Sequence, residues 1–291
     1  MNKTIGIIGL GRCGMPAAQR FVVSGFTVYG YARRPEVIQQ FANVGGESVP
    51  SPAEVATRAP VVIVMVLNDD QVIDVITGPQ GILKGAAEGS TIICMSTINR
   101  DNLDWMAREC EAQKGHFIDC PFTGGPARIA NGTLTLIAAA PEPVLLPCHG
   151  ILEVIGKITY AGETPGMGQA IKHCNQLLVT AIHAAAIELI ILAQKSGVDP
   201  RLVCEVVGSG IGGNDYFRLL SKAILDKTAS PGGMGQLWKD INIVITSSRK
   251  HNLPLLVASA VSHYFNMSVA QGLADEDSSK MMQVMLQMIG K

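Results

Sequence analysis

The 291 residues correspond to one large or two ordinary domains, and their 47% hydrophobic and 16% charged content excludes a disordered chain. Counting glycine as apolar and leaving tyrosine out raises the apolar share to about 56%, above the typical range of about 45–50%, and the mean hydropathy is +0.27. The 23 Lys and Arg against 24 Asp and Glu leave a net charge of -1, which argues against a nucleic-acid partner.

In chain order, short β-branched runs alternate with helical patterns. Strands are expected at 4–8, 27–31, 61–66, 91–95, 117–120 and 134–138, and helices at 15–24, 35–43, 71–76 and 102–114. Continuous apolar strands separated by helices predict a mostly parallel, doubly wound sheet of Rossmann type over residues 1–164. From 168 to 196 no Pro or Gly interrupts the pattern, so one helix of about 43 Å is expected, stopped by Gly197. Helices at 199–207, 215–225, 234–250, 254–270 and 278–289 complete an all-α second domain, 165–291, joined to the first by that long helix. Its most apolar stretch, 177–193, contains Thr180, His183 and Glu188 and reads as buried rather than membrane-spanning. The first ten residues lack the pattern of a secretory signal, and the seven scattered cysteines, with no CxxC, suit reduced thiols in the cytoplasm. The six histidines show no metal spacing.

The run Gly9-Leu10-Gly11-Arg12-Cys13-Gly14, ahead of Met15, has GxGxxG spacing between the first strand and the first helix. In that context the glycines allow a tight turn, close approach of a pyrophosphate and close helix packing, and the helix N-terminus offers N–H groups to phosphate. The end of the second strand, where NAD-binding chains place an acid, reads Tyr31-Ala32-Arg33-Arg34. Two guanidiniums there favour NADP, through a 2′-phosphate, over NAD. By the rule that ligands lie beyond the carboxyl ends of parallel strands, Ser96 and Thr97 are further contacts.

Four segments occur in order: GLGRCG at 9–14, DCPFTGGPARIANGTLTLI at 119–137, GMGQAIKHCNQ at 166–176 and KDINIV at 239–244. Over essentially the whole chain this resembles the β-hydroxyacid dehydrogenase family, the group of 3-hydroxyisobutyrate dehydrogenase, tartronate semialdehyde reductase and threonate dehydrogenase. The resemblance implies an NAD(P)-dependent enzyme acting on a small 3-hydroxy acid. It implies Lys172 as general acid and base, Asn175 as a substrate-holding residue, Thr123, Gly124 and Gly125 as a carboxylate-binding loop, and Lys239 on the cofactor side. Val66, Leu67 and Asn68 are expected beside the cofactor, and Asn214 near the far end of the substrate.

Lys172 and Asn175 are three apart and so share a helix face. An ammonium enclosed near a cationic nicotinamide would give up its proton more easily, which suits proton relay. His173 points elsewhere around the helix, and His183 lies about 16 Å further along, so His173 is expected to be a packing residue and His183 a core or subunit-interface histidine. The acidic run Asp275, Glu276 and Asp277 reads as solvated charge. Thr123, Cys94 and Leu67 depart from the family's usual Ser, Asp and Pro. Two other readings share the plan: an imine reductase, against which Lys172 argues, and a non-catalytic nucleotide reader, against which the intact set of polar residues argues. The apolar surplus of the helical half also favours a homodimer or homotetramer, with no membrane partner.

Overall fold

The computed structural model describes residues 3–290; Met1, Asn2 and Lys291 lie outside the described residues. The chain divides into two compact units, Met1–Lys172 and His173–Lys291.

The strands of the first unit are β1 (Thr4–Ile8), β2 (Thr27–Tyr31), β3 (Glu47–Ser48), β4 (Val61–Val64), β5 (Thr91–Cys94), β6 (His116–Asp119), β7 (Phe122–Thr123), β8 (Leu134–Ala139) and β9 (Gly156–Gly162). Its helices are α1 (Gly14–Val23), α2 (Pro35–Asn43), α3 (Pro52–Arg58), α4 (Asp69–Thr77), α5 (Arg100–Ala112), α6 (Gly125–Asn131), α7 (Glu142–Leu145) and α8 (His149–Leu152). One sheet takes all the strands: β3, β2, β1, β4, β5 and β6 run parallel, β8 is antiparallel to β6 and β7, and β9 pairs parallel to β8 at the edge.

Successive residues of a strand point to opposite faces, and here both faces are covered. Ile5, Ile7, Ile63, Ile93 and Ile118 pack with Phe21 of α1, Phe41 of α2 and Ile129 of α6. Ile8, Val62, Val64, Ile92 and Phe117 pack on the other side with Val55 of α3, Val72 of α4 and Met106 of α5. Each such side chain contributes about 1.5–3 kcal/mol by leaving water. This double covering is why the strands read as unbroken apolar runs.

β1, β2 and α2 coincide with their expected bounds, and the other expected elements of this unit differ from theirs by one or two residues at their ends. The strand expected at 61–66 ends at Val64: the Met65 N–H still meets the Ile8 carbonyl at 2.8 Å, but the Val66 carbonyl is taken by the Ser96 hydroxyl. Unexpected elements are small or half-exposed. α3 is begun by Pro52 and capped by Ser51, whose Oγ accepts from the Glu54 N–H at 3.1 Å. β9 is an edge strand with exposed positions, so it lacks the apolar run.

The long helix α9 (Met167–Lys195) begins in the first unit and continues through the second. The helices that follow are α10 (Pro200–Ser209), α11 (Asp215–Asp226), α12 (Met234–Lys250), α13 (Leu256–Ala270) and α14 (Met281–Met288). α9 is long and apolar enough to cross a membrane by length and composition. Its side chains nevertheless enter two cores of the helical unit. Ala184 and Ile187 meet α12 and α13 through Ile241 and Phe265, while Ala186 and Ile190 meet Cys204, Phe217 and Leu220.

The segment expected as one helix over 278–289 starts as a 3₁₀ turn, Ser278–Lys280, ahead of α14. Asp277 sets this turn and is not a merely solvated charge. Its carboxylate accepts from the Ser279 N–H at 3.0 Å and the Ser230 N–H at 2.8 Å.

His183 is fully buried in this unit. The Ser278 carbonyl, 3.1 Å away, can only accept, so Nε2 carries the hydrogen, and Nδ1 accepts from the Tyr216 hydroxyl at 3.0 Å. Burial holds the imidazole neutral and lowers its pKa to about 4, against about 6.5 in the unfolded chain. The unfolded state therefore binds the extra proton first as pH falls. Stability from this group is complete above pH 6.5 and declines toward pH 4, by about 3 kcal/mol in all. Urea midpoints of the wild type should fall more steeply from pH 7.5 to pH 4.5 than those of His183→Gln; parallel pH profiles would contradict this.

Candidate active site

In the first unit the sequence-predicted residues collect at one edge of the sheet, the carboxyl ends of its parallel strands. Gly9–Gly14 follow β1, Arg33 and Arg34 follow β2, Val66–Asn68 follow β4, Ser96 and Thr97 follow β5, and Thr123 lies just past β6. β1 and β2 are in register with Ile8 opposite Tyr31, so the glycine loop and the arginines leave neighbouring strands at the same level.

The loop fits a dinucleotide. Gly9 has φ +99°, and a Cβ there would sit 2.6 Å from the Met65 backbone; one on Gly14 would strike the Gly9 carbonyl. Both are therefore fixed by the chain's own packing. A Cβ on Gly11 would meet nothing within 4 Å, so its smallness leaves room for something outside the chain. No side chain caps α1 and no acid stands in its first turn, which leaves its positive dipole end open to phosphate. Leu10 is buried in the core, whereas Gly11 and Arg12 are exposed. Burial raises the pKa of the Cys13 thiol, while the charges of Arg12 and Lys172 act to lower it. Lys172 thus lies within electrostatic reach of this loop. Met15, the second residue of α1, has its N–H on the Gly11 carbonyl at 3.0 Å.

Several other predicted residues have structural bonds. Ser96 is buried and its hydroxyl donates to the Val66 carbonyl at 2.7 Å. The Leu67 N–H donates to Gln71 Oε1, and Asn68 caps α4 by accepting from the Gln71 N–H, both at 3.0 Å. Leu67 itself is half exposed. Arg33 is exposed, and Arg34 lies 3.6 Å from Glu36 in an exposed ion pair. Gly124 and Gly125 both have positive φ, +132° and +72°, and a Cβ on Gly125 would meet open space. That leaves the backbone beside Thr123 accessible to a small anion.

Sequence reasoning passed over the residues that anchor Lys172. Asp119, at the end of β6, has no solvent exposure. Its Oδ2 accepts from the N–H groups of Gly166 at 2.8 Å and Gln169 at 3.0 Å, so it caps the start of α9. Its Oδ1 accepts from Gln169 Nε2 at 3.0 Å. The Gln169 amide also donates to the Ser96 carbonyl at 3.0 Å and accepts from the Ile98 N–H at 3.1 Å. A Cβ on Gly168 would sit 2.7 Å from the Ile137 carbonyl and 2.9 Å from Asp119 Oδ2, which accounts for glycine in the GMG run. Burial pushes the Asp119 carboxyl up to about 6, and the N–H donors of Gln169 and its neighbours pull it back. Three residues beyond this clamp is Lys172, only 8% exposed.

In the helical unit a second polar chain forms. Asn175 Nδ2 donates to Gln176 Oε1 at 2.8 Å, Gln176 Nε2 donates to Asp240 Oδ2 at 2.5 Å, and Asp240 Oδ1 lies 2.8 Å from the Lys239 ammonium. Asn175 and Lys239 are thus joined through two residues not singled out from sequence. Asn214 has a different bond: it caps α11, accepting from the Phe217 N–H at 2.9 Å.

Residues 4–162 match the family described as the NAD binding domain of 6-phosphogluconate dehydrogenase, and 166–285 that described as NAD-binding of NADP-dependent 3-hydroxyisobutyrate dehydrogenase. An L-threonate dehydrogenase from Cupriavidus necator is 32% identical over 98% of this chain and 96% of its own. The chain belongs to the β-hydroxyacid dehydrogenase family. It is an NAD(P)-binding oxidoreductase. Mitochondrial 3-hydroxyisobutyrate dehydrogenase of Mus musculus is 29% identical over 97% of this chain and 87% of its own. Among solved structures, a 3-hydroxyisobutyrate dehydrogenase from Salmonella typhimurium superposes with a TM-score of 0.90 at 25% identity, covering 97% of this chain and 99% of its own.

The Asp119 clamp is testable. Asp119→Asn has one acceptor oxygen where three N–H donors now point, and the Gln169 amide cannot turn over without losing Ile98. At least one buried donor is orphaned, at about 1–3 kcal/mol. The variant should melt at lower temperature and, through displacement of Lys172, lose roughly tenfold or more in kcat; wild-type values of both would refute the clamp.

Proposed function

We propose that the enzyme interconverts a small hydroxy acid and its oxo form, with NADP as the preferred cofactor and Lys172 as general acid and base. The observation that carries this reading is the placement of Lys172, nearly buried yet within electrostatic reach of the glycine loop. The names of the relatives, threonate and 3-hydroxyisobutyrate dehydrogenases, support a hydroxy-acid substrate.

When bound, the nicotinamide supplies the hydride acceptor or donor. The chain supplies the rest. In the oxidative direction Lys172 Nζ, as the neutral amine, takes the proton of the substrate hydroxyl while the carbon below it loses hydride. In reduction the ammonium polarises the carbonyl oxygen and then protonates it. The backbone at Thr123, Gly124 and Gly125 receives the substrate carboxylate, with the Thr123 hydroxyl as an added donor. The uncapped start of α1 receives the cofactor's phosphates.

The NADP preference rests on Arg33 and Arg34 at the end of β2. Arg34 shares its charge with Glu36, so Arg33 is assigned the larger part in gripping a 2′-phosphate.

With NADP and a panel of 3-hydroxyisobutyrate, threonate, glycerate and 3-hydroxypropionate, absorbance at the reduced-nicotinamide band should rise for at least one acid. No turnover with either cofactor, despite nucleotide binding, would defeat the proposal. Lys172→Ala should lower kcat by about 10²-fold or more with cofactor affinity nearly unchanged, and wild-type turnover would remove its proton-transfer role. Arg33→Ala should weaken NADP at least tenfold more than NAD; equal losses would sink the 2′-phosphate assignment.

A further inference from the structure

Val66 and Ser96 leave the sheet at one level, because β4 and β5 are paired with Val64 opposite Cys94. Beyond that level their segments are tied twice. The Ser96 hydroxyl donates to the Val66 carbonyl at 2.7 Å, and Asp69 Oδ1 accepts from the Asn99 N–H at 2.9 Å and from Asn102 Nδ2 at 2.6 Å. The segment after β4 is also tied to itself, since Leu67 and Asn68 both bond Gln71. It therefore has little freedom to move apart from the segment after β5.

That second segment is fastened in turn to α9. Gln169 Nε2 has two hydrogens, and they go to the Ser96 carbonyl and to the Asp119 carboxylate, groups that only accept. Its Oε1 takes the Ile98 N–H, which only donates. Gln169 and Ile98 have no solvent exposure and Ser96 is 4% exposed, so water cannot replace these bonds and the amide cannot turn over without orphaning buried groups. Lys172 is three residues further on, on the same face of α9. A run of hydrogen bonds within the first unit thus joins Val66, through Ser96 and Gln169, to the turn before Lys172.

The Ser96 hydroxyl is spent inside this run and has no open side for a substrate. We propose that Ser96 and Gln169 are positioning residues that couple the segment 66–68 to Lys172, so that the cofactor, in setting that segment, also sets the proton-transfer group. This rests on the function proposed above and on the expected place of residues 66–68 beside the cofactor.

Ser96→Ala removes one hydroxyl from a carbonyl partner that is half-buried, so the variant is expected to fold. Titrated without substrate, it should bind NADP about fivefold more weakly than the wild type. Its kcat should fall about tenfold, with KM for the hydroxy acid within about twofold of wild type. Gln169→Met, close in volume but without hydrogen bonds, should weaken NADP to a similar extent although Gln169 does not border the cofactor. Because both changes cut one run, the double variant should lose little more NADP affinity than the worse single variant. Where Gln169→Met does not fold, the split between NADP affinity and KM in Ser96→Ala decides. A raised KM for the acid with NADP affinity unchanged would make Ser96 a substrate contact. A lower melting temperature with wild-type kcat and NADP affinity would make the bonds merely structural, and losses that multiply in the double variant would make the two residues independent. Each of these results would overturn the inference while leaving the dehydrogenase reading intact. Failure of every hydroxy acid with the wild type would instead defeat that reading.

Discussion

The candidate site depends on one buried carboxylate. Asp119 ends a strand of the parallel sheet and holds the opening turn of α9, the helix that carries Lys172. A negative charge at a helix N-terminus is favourable because it meets unpaired N–H groups and the positive end of the dipole. Here the cost of burying the charge is offset by donors from Gly166 and Gln169, the latter through both backbone and side chain. Gln169 extends the clamp to the Ser96 carbonyl and the Ile98 N–H beyond β5. Two adjacent strand ends thereby fix the helix on which the proposed proton-transfer residue stands.

The apolar surplus that marks the composition is accounted for by the same architecture. The parallel strands β1, β2, β4, β5 and β6 are covered on both faces and require apolar runs, and α9 enters two cores of the helical unit, which leaves few positions for charge. The ionisable groups that remain inside are correspondingly specific. Asp119 caps a helix, Asp240 pairs with Lys239 and takes a bond from Gln176, and His183 is held in one tautomer between Tyr216 and Ser278.

The parts of this arrangement that could be read in sequence are those governed by local rules. β1, β2, α2 and α12 begin and end at the expected residues because their burial pattern and flanking turn residues lie within the same few positions. The glycine loop was legible for the same reason. α3 was passed over although Ser51, Pro52 and Glu54 mark its start, since it offers only a short apolar face, Val55 and Ala56. Asp119 and Gln169 are 50 residues apart, and Gln176 and Asp240 are 64 apart. No periodicity announces such pairs. A lone Asp closing an apolar strand and a Gln beside a catalytic-motif Lys were the available signals. Asn68 and Asn214 illustrate the converse: both stood out as site candidates, and both also have the spacing of helix caps, the bond each makes in the structure.

In the proposed function the clamp at Asp119 places Lys172 to exchange a proton with the substrate at the carboxyl edge of the sheet. A crystal structure of the enzyme with NADP and a hydroxy acid tests it most directly. Lys172 Nζ is expected within hydrogen-bond distance, about 3 Å, of the reacting oxygen, with Asp119 still accepting from Gly166 and Gln169. A complex in which the reacting oxygen meets some other side chain, or in which α9 begins without Asp119, would contradict it.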